Sequence, residues 1–160
     1  MGNRIAAFFD FDRTLIDVNS GALWIRSERR AGRIRRWQML WAATYFLRYH
    51  LSLIDMEQAM AKAVATMVGQ REDEIEERTR EWYHREVRQH VLPAAREAIE
   101  RHRARGEPLV LLTTSSPYLG EVVREDLGLD AVASSGYEVD GEGRFTGGLK
   151  LPICYGIGKV

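Results

Sequence analysis

Cysteine is almost missing from this sequence. Cys154 stands alone, so no internal disulfide can form; the chain suits a reducing, cytoplasmic setting, with the free thiol buried as a small apolar group. An excess of either charge is missing too. The 23 Lys and Arg side chains balance 23 Asp and Glu to a net charge of zero, which gives a general nucleic-acid binder no electrostatic footprint. No secretory leader is legible, because the apolar run Ile5 to Phe9 is too short and Asp10 and Asp12 follow at once. The longest apolar stretch, Trp37 to Ile54, includes Gln38, Arg48 and His50. It reads as a buried amphipathic helix rather than a membrane span. His50, His84, His90 and His102 are scattered without zinc-ligand spacing and are expected to be structural or surface residues.

What is present suits one globular domain. With 160 residues, 45% of them hydrophobic, the chain is long enough to bury a core. Ile5 to Phe9 reads as a strand buried on both faces, as in a parallel sheet. From Ser20 to His90 there is no proline and few glycines, which predicts a wholly helical stretch with Gly32 and Gly69 at helix ends. Pro93 opens a further helix that runs toward Gly106. Pro108 to Thr114 is a second apolar strand, Pro117 opens a helix closed by Gly128, and Ala131 to Ser135 is a third strand. Tyr137 to Lys150 reads as a hairpin with Asp140-Gly141 as the turn signal. The order is that of a doubly wound α/β fold with a long helical insertion after its first strand. Ligands in such sheets bind beyond the carboxyl ends of the strands, where Asp10, Asp12 and Thr114 all fall.

Two carboxylates two positions apart on an extended backbone point to the same side. Asp10 and Asp12 therefore need a cation, a raised pKa, or a bend that separates them. One could be a metal-bound nucleophile and the other a general acid; a solvated turn in which either caps the next helix uses the same letters. Two other cation or phosphate motifs fail on the sequence. An EF-hand loop from Asp10 would need Gly and Glu where Leu15 and Gly21 stand. A P-loop ending at Gly158-Lys159 would need Gly and Ser or Thr where Ile153 and Val160 stand.

DFDRTL, beginning at Asp10, resembles the first signature, DxDxT, of the haloacid dehalogenase-like superfamily. VLLTTSSP, Val110 to Pro117, is similar to its second, a strand ending in Ser or Thr, and GIGKV supplies the lysine of the third. The helical insertion and the hairpin resemble the phosphoserine phosphatase-like branch (subfamily IB). The resemblance implies a Rossmann-like core over residues 1–17 and 92–160 and an all-helical cap over 18–91. It implies a phosphatase that hydrolyses a small phosphorylated metabolite, a phosphomonoester, through an aspartyl-phosphate. Asp10 would be the nucleophile and Asp12 the general acid and base. Magnesium would be held by the Asp10 carboxylate and the Asp12 main-chain carbonyl. Thr114 and Ser115 would bind the phosphoryl group, with Thr113 the alternative hydroxyl, and Lys159 would neutralise its charge.

The sequence also departs from the family pattern. Arg13 stands where glycine is common. The loop DVNSG lacks the cap glutamate of the phosphoserine-specific members, so that specificity is not carried over. A fourth, acidic signature is expected beyond Val160 on another strand. Residues 1–160 are therefore expected to bind metal weakly, to have little activity, and to leave the first strand as an apolar edge. A catalytically impaired module and a phosphotransferase or phosphomutase are the alternatives. The basic run Arg26, Arg29, Arg30, Arg33, Arg35 and Arg36 reads as a solvated helix face or, less simply, as attraction for anionic substrates or peripheral contact with lipid headgroups. Trp37, Trp41, Tyr45 and Tyr49 recur at helical spacing and are expected to pack the cap.

Overall fold

The computed structural model describes residues 5–34 and 56–150. Cys154, Lys159, Arg35, Arg36 and the stretch from Trp37 to Ile54 lie outside the described residues, and so do the readings made for them.

Strand β1 (Ala7–Asp10) leads through a tight turn into helix α1 (Ser20–Arg30). Helices α2 (Met56–Ala65) and α3 (Glu72–Trp82) follow, and α3 runs on through a π-helical turn (Tyr83–Val87) and a 3-10 turn (Arg88–His90). The chain returns with α4 (Pro93–Arg103), β2 (Leu109–Leu112), α5 (Pro117–Leu127) and β3 (Ala131–Ala133). It closes with a hairpin, β4 (Gly136–Val139) and β5 (Phe145–Lys150). Prolines at the first turns of α4 and α5 start those helices as expected. Gly128, at φ +62°, ends α5 in the left-handed conformation that a side chain would strain.

The sheet is parallel, in the order β1-β2-β3. Ala7 pairs with Leu109 and Asp10 with Leu112, while Leu112 pairs in turn with Ala133. Apolar side chains of both crossover helices, Ala95 and Ile99 of α4 and Leu119, Val122, Val123 and Leu127 of α5, join one buried cluster with Ala7, Phe9, Leu109 and Leu111. Right-handed crossovers running in one direction along the sheet put both helices on the same face.

That arrangement corrects the expectation of a first strand buried on both sides. Ala7 and Phe9 are buried, but Phe8 is 63% exposed and Ile5 is 67% exposed. The face that carries Phe8 is not the one that α4 and α5 cover. Among the described strands β1 is an edge, as expected.

The hairpin forms where predicted, though its turn differs. Asp140 Oδ1 accepts the backbone N–H groups of Glu142 and Arg144, and the positive φ falls at Gly143 rather than Gly141. Tyr137 and Phe145 pack with Tyr118 and Ile75 in a second, smaller cluster.

The inserted helices are bound to α5 by polar contacts. Tyr118 Oη donates to Glu72 (2.8 Å), Arg80 pairs with Glu125 (2.5 Å), and the buried Tyr83 donates to Asp126 (2.9 Å). The two connections to the insertion run side by side. Ile16 bridges Val91, the Leu92 N–H donates to the Leu15 carbonyl (3.0 Å), and His90 Nδ1 lies 2.9 Å from Asp17 Oδ1.

Candidate active site

Asp10 is the last residue of β1, and its register partner Leu112 is the last of β2. The segments that follow these two strands, Phe11 to Asn19 and Thr113 to Ser116, therefore leave the sheet next to each other at its carboxyl edge. This is where a doubly wound sheet offers a binding crevice.

After Asp10 the chain bends at once. Phe11 is fully buried, and its carbonyl accepts the N–H groups of Thr14, Leu15 and Ile16. Arg13 takes φ +59°, the one positive value at a non-glycine among the described residues. The bend gives the two carboxylates different partners. Thr14 Oγ1 lies 3.5 Å from Asp10 Oδ2, while Asp12 Oδ1 accepts the backbone N–H of Ser20 at 2.7 Å. Of the sequence readings of the pair, the one in which an aspartate serves the next helix is met at Asp12, whose carboxylate takes the N–H of the first residue of α1. The side-chain cap of α1 is Asn19, whose Oδ1 accepts the Ala22 N–H at 2.9 Å.

On the neighbouring strand the two threonines differ. Thr113 is 2% exposed, and its hydroxyl accepts the Ser115 N–H at 3.1 Å. Thr114 is half-buried, and its hydroxyl takes part in no hydrogen bond among the described residues. Ser116 is committed to capping α5 through the Leu119 N–H. Ser115 Oγ lies 3.1 Å from Ser20 Oγ, a contact that sequence reasoning missed. Its one signal is a serine opening the helix after VN. Gly120 lets this end of α5 approach the sheet, since a Cβ there would come within 2.7 Å of Val132 Cγ1.

Hard oxygen donors at Asp10 and Asp12 fit magnesium in kind, for an ion that keeps several waters and takes few protein carboxylates. They are few in number: no group of three His, Cys, Asp or Glu able to hold a metal occurs among the described residues. Lys159 lies outside those residues.

A cleft of about 500 Å³ opens elsewhere, between α1 and α3, lined by Glu28, Arg33, Glu77, Arg78, Trp82 and Arg85. None of the signature residues borders it. Its arginines are already paired, Arg33 and Arg78 with Glu28 and Arg85 with Glu86. Part of the basic run is therefore internally neutralised, including Arg30, which also meets Glu86 (2.5 Å).

Among the described residues no helix is long and apolar enough to cross a membrane. The chain is 31% identical over 160 residues to the "Inhibition of morphological differentiation protein" of Streptomyces azureus, covering 98% of this chain and 57% of that protein. It thus spans little more than half the length of that curated relative. Its fold matches a solved protein of unknown function from Bordetella pertussis Tohama I with a TM-score of 0.87 at 21% identity, covering 99% of this chain and 71% of that one. It also matches the phospho-aspartyl intermediate analogue of a phosphoserine phosphatase with a TM-score of 0.59 at 19% identity, covering 93% and 64%. The fold is therefore one that a solved phosphoserine phosphatase shares. Residues 7–160 match the haloacid dehalogenase-like hydrolase family, and the chain belongs to that family.

Proposed function

We propose that this chain carries the nucleophile and the phosphate-binding loop of a magnesium-dependent phosphatase acting on a small phosphomonoester, with residues 18–91 as the cap over a core of 1–17 and 92–160. One observation carries the reading. Asp10 and the Thr113–Ser116 loop leave adjacent parallel strands whose last residues, Asp10 and Leu112, are paired in register.

In this reading an Asp10 carboxylate oxygen attacks phosphorus in line. The bond from phosphorus to the ester oxygen breaks, and the leaving alcohol takes a proton from Asp12. Water then attacks the aspartyl-phosphate, Asp12 takes its proton back, and free Asp10 and inorganic phosphate result. Asp12 Oδ1 is already occupied by the Ser20 N–H, so Oδ2 is the oxygen that carries the proton. Thr114 donates its hydroxyl to a phosphoryl oxygen, Ser115 lies beside it, and Lys159 offsets negative charge. Magnesium, held by the Asp10 carboxylate and the Asp12 main-chain carbonyl, would supply charge neutralisation at the phosphoryl oxygens.

The test uses the full-length protein. Asp10→Asn is expected to lower turnover of a phosphomonoester panel by about 10⁴-fold or more, and the wild type is expected to be trapped by beryllofluoride. A mutant that retains ordinary turnover would defeat the proposal. A phosphotransferase shares the first half of this chemistry, and transfer to an added alcohol in place of water would identify one.

A further inference from the structure

We infer that Ser20 is a positioning residue, tying the carboxylate of Asp12 to the loop after β2 through two bonds made by one buried residue. The inference rests on the phosphatase reading above and deepens it.

Ser20 is 1% exposed and is the first residue of α1. Its backbone N–H donates to Asp12 Oδ1 at 2.7 Å, and its hydroxyl lies 3.1 Å from that of Ser115, which is 95 residues away in sequence. The first bond uses a donor that the start of a helix leaves without an intrahelical partner, at the positive end of the helix dipole. It fixes which oxygen of Asp12 is free to move a proton.

The second bond acts on the other side of the site. In a serine–serine pair one hydroxyl donates and the other accepts. When Ser20 donates, Ser115 keeps its own O–H to give elsewhere, next to Thr114. The Ser115 backbone is held in turn by the Thr113 hydroxyl (3.1 Å). Any shift of α1 therefore moves the proton-transfer carboxylate and the phosphate loop together. The acid stays in register with the phosphoryl group, although α1 belongs to the inserted helices and Ser115 to the loop after β2.

Replacing the side chain separates the two bonds, because Ser20→Ala keeps the backbone N–H to Asp12. In the full-length protein with p-nitrophenyl phosphate and magnesium, S20A is expected to lower kcat about tenfold with KM within about twofold. Ser115→Ala is expected to do the same, and the double variant to be no worse than the poorer single one, since both remove one shared bond. Ser115→Thr, which keeps a hydroxyl, is expected to restore most of the rate. A merely structural role would lower thermal stability without this split or this non-additivity. An S20A enzyme at the wild-type rate, or a double variant at the product of the single losses, overturns the inference. Should S20A fail to fold, S115A and S115T carry the test, and an S115A rate equal to wild type overturns it. Asp10→Asn separates the two levels. If D10N retains turnover the phosphatase reading itself is lost, whereas an inactive D10N beside an unaffected S20A removes only the role of Ser20.

Discussion

Arg13 is the residue at which sequence and backbone disagree most openly. An L-residue at φ +59° places its Cβ close to its own carbonyl, at a cost of about 1 kcal/mol relative to glycine. The turn holds because the Arg13 N–H reaches the Val18 carbonyl (3.2 Å) and three N–H groups converge on the Phe11 carbonyl. Arg13→Gly relieves the strain but loosens the unfolded chain, so the two effects partly cancel. The expected outcome is a stability change between zero and about +1 kcal/mol in urea unfolding, with turnover retained; a loss of more than about 1 kcal/mol would show that the arginine side chain itself holds the turn. The departure from the family's glycine was legible in the letters. That the backbone keeps the glycine conformation was not, because side-chain preference argued against it. Ser20 was illegible for another reason: its partners, Asp12 and Ser115, are set by how the helix start meets the sheet, which no local pattern encodes.

Elements with strong local punctuation were the easiest to read. Proline at the first turn and glycine after the last fix α5 within a residue, and the strand Leu109–Leu112 follows from its apolar run. The π-helical turn at Tyr83–Val87 had no signal, since it lies where α3 packs on α5 while the residues just beyond it, His90 and Val91, meet Asp17 and Ile16. In the hairpin, Asp140-Gly141 marked the place while Gly143 supplies the positive φ, because the Asp140 side chain, rather than a tight two-residue turn, organises the bend. That device depends on pH. The backbone N–H groups of Arg144 and Glu142 hold the Asp140 carboxyl below its ordinary value. Its contribution is thus present above the unfolded value of about 3.9 and is lost as pH falls through the lower folded value. Asp140→Asn keeps an acceptor oxygen but no titration. The wild type's advantage over D140N, read from hairpin amide chemical shifts and urea midpoints, is expected to shrink as pH drops below about 4; a constant difference would assign the bend to other groups.

At the scale of the whole molecule, the α/β order and the insertion after β1 were legible because they depend only on the succession of elements. Burial on the second face of the sheet was not, since apolar letters in a strand do not say which layers cover it. Phe8, 63% exposed on the strand that is an edge among the described strands, is the cost of that arrangement. An apolar edge invites pairing with another chain. Phe8→Glu is expected to reduce self-association of residues 1–160 in sedimentation, with unfolding stability changed by less than about 0.5 kcal/mol. Equal association of mutant and wild type would place the contact elsewhere.

The side-by-side connections at Leu15–Asp17 and His90–Leu92 have a consequence for tolerance to change. The two ends of the intervening stretch are pinned together before it begins, so residues gained or lost within it never alter the gap the chain must close. Lengthening such a loop adds only a slowly growing entropic cost. The mouth of the insertion can thus stay fixed while its contents drift, leaving Asp10 and its neighbours undisturbed.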